Sequence, residues 1–264
     1  MDLLYSKCIS TNGGFQMGET IAVGSGKGGV GKTSIVAGVA TCLAAMGYKV
    51  LAVDADIGLR NLDILLGMSD TTALDFGDVL RGDTELEKAI VRCGDLENLH
   101  LLNAPYTLEE SYDAAFEGMM ERAKKLYDFC FVDCAAGLGR SLKMAASAAD
   151  RAIVVTTLDK TSLRDAARAV ERFDFYGVGE IGLIVNRVRP RLAARAQSPN
   201  IDDAIDVSRA QLLGIVPEDE RVIISANLER PIILDNCNGA ALAYYNIARR
   251  LIGEFVPLMR IKNQ

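Results

Sequence analysis

The 264-residue chain has no tryptophan and only one histidine, His100. A lone imidazole, in the apolar run ENLHLLNA, leaves no room for histidine-based catalysis, so His100 reads as structural. No run reaches 18 consecutive apolar residues, which excludes a membrane-spanning helix. The opening residues, MDLLYSKCISTNGGFQ, lack a basic region followed by an apolar one, so no secretory signal is read there. None of the six cysteines, Cys8, Cys42, Cys93, Cys130, Cys134 and Cys237, forms a C-x-x-C pair. That removes the usual zinc and iron–sulfur frameworks. The cysteines read as small buried hydrophobes of a reducing compartment, with Cys130 and Cys134 flanking a candidate site in CFVDC. A net charge of −6 argues against nonspecific contact with nucleic acid.

What is abundant is apolar sequence, 50% of residues against 24% charged. It is organised as short apolar runs alternating with longer helical patterns. ETIAVGS, YKVLAVDAD, ENLHLLNAP, YDFCFVDC, RAIVVTTLD, IGLIVNRV and LLGIVPE read as strands. GKTSIVAGVATCLAAMG, closed by Gly47, EESYDAAFEGMMERAKKL and SLRDAARAVERFDFYG read as helices. GAALAYYNIARRLIGEF reads as a last helix, with Pro257 ending it. The strands show no polar alternation, the pattern of a mostly parallel sheet covered by helices on both faces, hence a three-layer α/β/α fold. No internal repeat or low-complexity linker is present. RPRLAARAQSPN, Arg189 to Asn200, reads as a loop or short mobile helix. Residues 17–264 are expected to form one domain, with 1–16 as a leader and either Met1 or Met17 as the start.

GSGKGGVGKTS, Gly24 to Ser34, contains the pattern G-x-x-x-x-G-K-[ST] in Gly26, Gly31, Lys32 and Thr33. It lies between a strand and a helix, the context a phosphate-binding loop requires. Glycines let backbone N–H groups curl around phosphates, and the helix N-terminus adds partial positive charge. Lys32 is expected on the β- and γ-phosphates and the Thr33 hydroxyl on Mg²⁺. One nucleotide does not need a second lysine, yet Lys27 is present. From spacing alone it is either a solvated loop charge or a cation aimed at the phosphates of another subunit.

Asp54 and Asp56 follow the strand YKVLAV, and Asp133 follows YDFCFV. In an open parallel sheet the strand C-termini share one edge with the phosphate loop, which gathers these three acids near the γ-phosphate and metal. Asp54 is the one expected to brace the loop.

KGGVGKT resembles the deviant Walker A motif of the MinD/ParA family of P-loop ATPases. DADIGLRNLDILLG, Asp54 to Gly67, resembles the switch I region of MinD-like members. FVDCAAGL, Phe131 to Leu138, resembles switch II, usually a DSPAGL-type sequence. TTLDKTSLRDAAR, LIVNRV, LLGIVPEDE and NIARRLIGE extend the resemblance over most of residues 19–258. It implies an ATPase that binds ATP or ADP with Mg²⁺ and dimerises with ATP. In such a dimer Lys27 acts across the interface, so Lys27, Lys32 and Asp56 form the catalytic set. Gly26, Lys27, Gly28, Gly29, Val30, Gly31, Lys32, Thr33 and Ser34 would hold the phosphates. Thr33, Asp56 and Asp133 would serve the metal, Asp56 orienting the attacking water and Asp133 acting through water. Asn186 and Arg187, with the backbone around Pro217 and Glu218, would face the adenine.

The implied partners are a second copy of the chain, a MinC-like division inhibitor and a topological regulator. The implied location is the cytoplasm, with peripheral contact at the inner face of the cell membrane. Family members commonly end in an amphipathic membrane-binding helix. The tail VPLMRIKNQ is too short to make one, so weak membrane binding is expected. Three departures stand out. Ala135 replaces the usual switch II proline and should leave that loop less stiff. Gly139 replaces a common acid, and Ser34 a second threonine. A ParA-like partition ATPase and a nucleotide-binding adaptor that barely hydrolyses are the competing readings. The acidic charge and the switch I sequence disfavour the first, and measured turnover separates the second.

Overall fold

Apolar side chains on both faces of a strand demand a covering layer on each side, and the chain supplies both. The computed structural model describes residues 17–69, 74–94, 96–193, 195, 198–234 and 237–259. The chain runs through β1 (Glu19–Gly24), α1 (Lys32–Ala45), β2 (Val50–Ala55) and three short helices, α2 (Leu62–Leu66), α3 (Phe76–Arg81) and α4 (Leu86–Ala89). Next come β3 (Val91–Arg92), β4 (Leu99–Leu102), α5 (Asp113–Ala123), β5 (Phe129–Cys134), α6 (Arg140–Ala148), β6 (Arg151–Thr156) and α7 (Lys160–Phe175). β7 (Glu180–Val188), α8 (Pro190–Ala193), α9 (Ile201–Ser208), β8 (Gln211–Pro217), α10 (Arg221–Asn227) and α11 (Ala240–Leu251) follow.

The strands form one sheet in the order β3-β4-β2-β5-β1-β6-β7-β8. Every pairing is parallel except the edge pair β3–β4. Alternate residues of each strand enter opposite cores, as the period of two dictates. Ile21, Val23, Val50, Ala52, Phe131 and Ile153 pack under α1 and α11. Ala22, Leu51, Val53, Val132 and Val154 pack under α3, α5, α6, α7 and α9. Full burial of each large apolar side chain contributes about 1.5–3 kcal/mol, so both layers are needed. α1 crosses α11 closely at Gly38, where a Cβ would stand 2.2 Å from the Tyr244 ring.

Several local features differ from the sequence reading. β3 is two residues long, too short for periodicity to reveal. The same is true of α2, α3, α4 and α10, none of which was expected. α6 and α9 were also missed, the latter although Asn200 and Asp203 form a reciprocal capping box at its start. Within Arg189–Asn200 a single helical turn, α8, is present among the described residues. The expected helix from Glu109 begins as a 3₁₀ turn over Glu110–Tyr112 before α5. Pro257 does not end the last helix. Gly253 does, in the left-handed conformation (φ 83°), with Glu254 N–H donating to Arg249 O and Gly253 N–H to Arg250 O. The leader, with its choice of start and Cys8, lies outside the described residues. Four of the other cysteines are buried and free, whereas Cys237, in the turn before α11, is exposed. Burial pushes the Cys93 and Cys130 thiols up to about 12, which keeps them inert. Among the described residues no helix is long and apolar enough to cross a membrane.

Candidate active site at the phosphate loop

β1 ends in the centre of the sheet, and the chain then turns through Ser25–Gly31 into α1. Two glycines make this path possible. A Cβ on Gly26 would lie 2.3 Å from the Asp165 carbonyl of α7, so only glycine lets the loop lie against that helix. Gly31 adopts φ 96°, and a Cβ there would stand 2.3 Å from Asn186 Nδ2. The first turn of α1 has no side-chain cap and no acid, which leaves its N–H groups free for an anion.

The two lysines are placed differently. Lys32 is 7% exposed, and its Nζ donates to Ser25 Oγ at 2.9 Å. Ser25, missed in the sequence, donates in turn to the Lys27 carbonyl at 2.7 Å and so sets both the loop and its lysine. The Lys27 side chain is 46% exposed and leans away from the loop. Its Nζ lies 3.7 Å from Asp159 Oδ1 and donates to Thr161 Oγ1 at 3.3 Å. Asp159 caps α7 through Ser162 N–H. Although burial opposes it, hydrogen bonds from Ser162, Thr161 and Thr157 hold the Asp159 carboxyl well below its usual range.

The three acids take different positions. Asp54 is buried: its Oδ1 accepts the Asp56 N–H at 2.9 Å, and its Oδ2 accepts those of Asn61 and Leu62 at 3.0 and 3.1 Å. It pins the start of switch I. Asp56 is half-buried, raised above the ordinary carboxylate value by burial and pulled back by Lys32. Asp133, opposite Val23 and Asp54 in the sheet register, is 2% exposed. Burial and then the Asp54 charge push its carboxyl up to about 8, against the Thr33 hydroxyl bond and Lys32.

Asp133 Oδ1 is a buried oxygen with no hydrogen-bond partner among the described residues. An unpartnered buried acceptor beside Thr33 fits a hydrated cation. No group of three or more His, Cys, Asp or Glu could hold a metal by itself among the described residues. A hydroxyl and a carboxylate are oxygen donors of the kind Mg²⁺ takes when phosphate oxygens and water complete its shell.

The adenine candidates lie where β7 and β8 end in a register break between Val185 and Val188. Asn186 is buried and donates its Nδ2 to the Val30 carbonyl at 2.8 Å, so its first role is to brace the loop. Arg187 is exposed in the left-handed region (φ 52°). Glu218 N–H donates to Val188 O at 3.1 Å, extending the pairing beyond Pro217, while its carboxylate pairs with Arg189. Arg60 of switch I was not singled out. It adopts φ 44°, pairs with Asp75 at 2.7 Å and lies over the Tyr106 ring at 4.2 Å. A cavity of about 310 Å³ lies at the opposite edge, against the first residues of β6, β7 and β8, away from this chemistry.

A central strand, a glycine loop with a buried lysine, and carboxylates at the ends of β5 beside it and β2 one strand further define a P-loop nucleotide hydrolase. The family model for the CobQ/CobB/MinD/ParA nucleotide binding domain matches residues 21–232. The septum site-determining protein MinD of Bacillus subtilis (strain 168) is 39% identical over 252 residues, 94% of each chain. The structure of a MinC:MinD cell division protein complex from Aquifex aeolicus is similar at TM-score 0.86 and 37% identity, covering 92% of this chain and 98% of that one. The septum site-determining protein MinD complexed with Mg-ADP from Pyrococcus horikoshii OT3 is similar at TM-score 0.78 and 30% identity, covering 90% and 97%. The chain belongs to the CobQ/CobB/MinD/ParA nucleotide-binding family, as a MinD-like cell-division ATPase.

Proposed function

We propose that residues 17–264 act as one ATP-switched unit. ATP with Mg²⁺ brings two copies face to face, the dimer recruits a MinC-like inhibitor of septum formation, and hydrolysis resets it. The observation that carries this reading is the division between the two lysines: Lys32 is buried in its own loop, while Lys27 stands at the surface on Asp159 and Thr161. A lysine directed out of its own loop is available to the nucleotide of a second copy. The similarity to a chain of the MinC:MinD complex supports the inhibitor as partner. On this reading the protein works in the cytoplasm, with peripheral contact at the membrane.

In the reaction, Gly26 to Ser34 hold the phosphates through backbone N–H groups, and Lys32 neutralises the β- and γ-oxygens. Thr33 and, through water, Asp133 would hold Mg²⁺, which supplies charge stabilisation on the transferred phosphoryl group. Asp56 orients water for in-line attack. The water oxygen bonds to the γ-phosphorus, the bond to the β–γ bridging oxygen breaks, and the water proton passes to Asp56 or a phosphate oxygen. Lys27 of the partner copy adds charge at the transition state. Asn186 faces the base with the part of its amide not used on Val30, beside Arg187, Pro217 and Glu218.

The test is light scattering behind size exclusion with ATP or ADP. Wild type should dimerise with ATP only. Asp56→Ala should dimerise and persist because it hydrolyses slowly. Lys27→Ala should bind ATP as a monomer and fail to dimerise. Normal dimerisation of Lys27→Ala would return that lysine to a solvated loop charge, and a wild type monomeric in ATP would refute the switch.

A further inference from the structure

Where family members carry a proline in switch II this chain has Ala135, and an alanine brings an N–H that proline lacks. In the structure that extra N–H has a partner. Ala135 N–H donates to Ser141 Oγ at 2.9 Å, and that hydroxyl donates to the Ala55 carbonyl at 2.9 Å. Ala55 and Cys134 are register partners at the ends of β2 and β5. One serine thus ties together the two points where switch I and switch II leave the sheet.

The acceptor matters because Asp56 is the next residue in the chain. The Ala55 carbonyl and the Asp56 N–H belong to one peptide group. Its oxygen is held by Ser141 and its N–H by Asp54 Oδ1 at 2.9 Å. A peptide plane held at both ends cannot rotate, and its orientation sets where the next side chain points. Ser141 is in the first turn of α6, where a hydroxyl ordinarily bonds to its own backbone. Here both bonds go to other elements instead.

We propose that Ser141 is a positioning residue for hydrolysis. It fixes the direction in which Asp56 leaves β2 and makes that direction depend on switch II. Displacements of about 1 Å at a reacting group are enough to slow chemistry strongly. The proposal rests on the reading of Asp56 as the carboxylate that orients water.

The experiment measures ATP affinity, single-turnover hydrolysis and thermal melting for Ser141→Ala, Ser141→Thr, Asp56→Asn and the double variant Ser141→Ala/Asp56→Asn. Ser141→Ala should bind ATP within about twofold of wild type, because the phosphate loop is untouched, and hydrolyse roughly five- to tenfold more slowly, the effect of one lost positioning hydrogen bond. Ser141→Thr keeps the hydroxyl and should restore the rate. In the Asp56→Asn background, Ser141→Ala should cause no further fall. An unchanged rate in Ser141→Ala, or the same fall repeated in the Asp56→Asn background, overturns the proposal while leaving the role of Asp56 intact. A wild-type rate in Asp56→Asn alone refutes the reading of Asp56, and the proposal with it. Should Ser141→Ala melt early, Ser141→Cys gives the same comparison with a weak donor of similar size.

Discussion

Replacing Asp133 with asparagine should stabilise the ligand-free protein and remove the Mg²⁺-dependent part of its ATP binding. The carboxyl is almost wholly buried at the ends of three strands, and burial, then the charge of Asp54, pushes it up to about 8. The folded protein therefore binds this proton more tightly than the unfolded chain, whose ordinary value is 3.8. The corresponding stability is fully present below about pH 4 and is lost as pH rises towards 8. Between 3.8 and pH 7, at about 1.4 kcal/mol per pH unit, the loss is on the order of 4 kcal/mol. Asparagine keeps an acceptor for Thr33 and carries no charge, so it avoids that loss.

Relaxation and water entry reduce the figure, and a gain of about 2–4 kcal/mol at pH 7 is expected. For a chain of this size that is roughly 5–10 °C in Tm. The assay is thermal unfolding of both proteins in chelator at pH 5, 6, 7 and 8. The gap between them should narrow to less than about half of its pH 7 size at pH 5. With Mg²⁺ and ATP the order should reverse, because only wild type presents a carboxylate to the hydrated ion. A variant no more stable than wild type at pH 7 and 8, or a gap that does not shrink at pH 5, would refute the account of Asp133 as a buried carboxyl that holds its proton until a cation takes its place.

Three further outcomes are expected. Lys32→Ala should lose measurable ATP affinity in calorimetry while its far-UV spectrum stays that of wild type, since Lys32 is the buried cation of the loop and Ser25 keeps its hydrogen bond to the Lys27 carbonyl without it. Gly38→Ala places a methyl 2.2 Å from the Tyr244 ring and should lower stability by about 1–3 kcal/mol in denaturant unfolding, without changing ATP affinity. Asp54→Asn leaves one acceptor oxygen where two now serve the N–H groups of Asp56, Asn61 and Leu62, and should speed hydrogen exchange of whichever N–H groups face its amide nitrogen by about tenfold or more, with Leu51 and Val132 unchanged.

Much of the fold was legible because the signals were local. Apolar runs without polar alternation in β1, β5, β6 and β7 suit a parallel sheet covered on both faces, and the glycine spacing of residues 26–33 has one ready physical use, wrapping a phosphate. The acids after YKVLAV and YDFCFV could be assigned to the same edge because parallel strands end together. What the sequence could not show depends on neighbours distant along the chain. Gly253 rather than Pro257 ends α11 because the helix closes with its own backbone bonds before the proline is reached. Lys27 finds Asp159 and Thr161 more than 130 residues later, at the start of α7. Nothing in the sequence marks Ser141, or the helix whose first turn it occupies, and its role shows only once the sheet brings Ala55 within hydrogen-bond reach. Alone, the Ala135 substitution suggested a looser loop. Only the tertiary structure adds that packing β2 beside β5 gives the extra N–H a partner and ties switch II to the peptide that leads to Asp56.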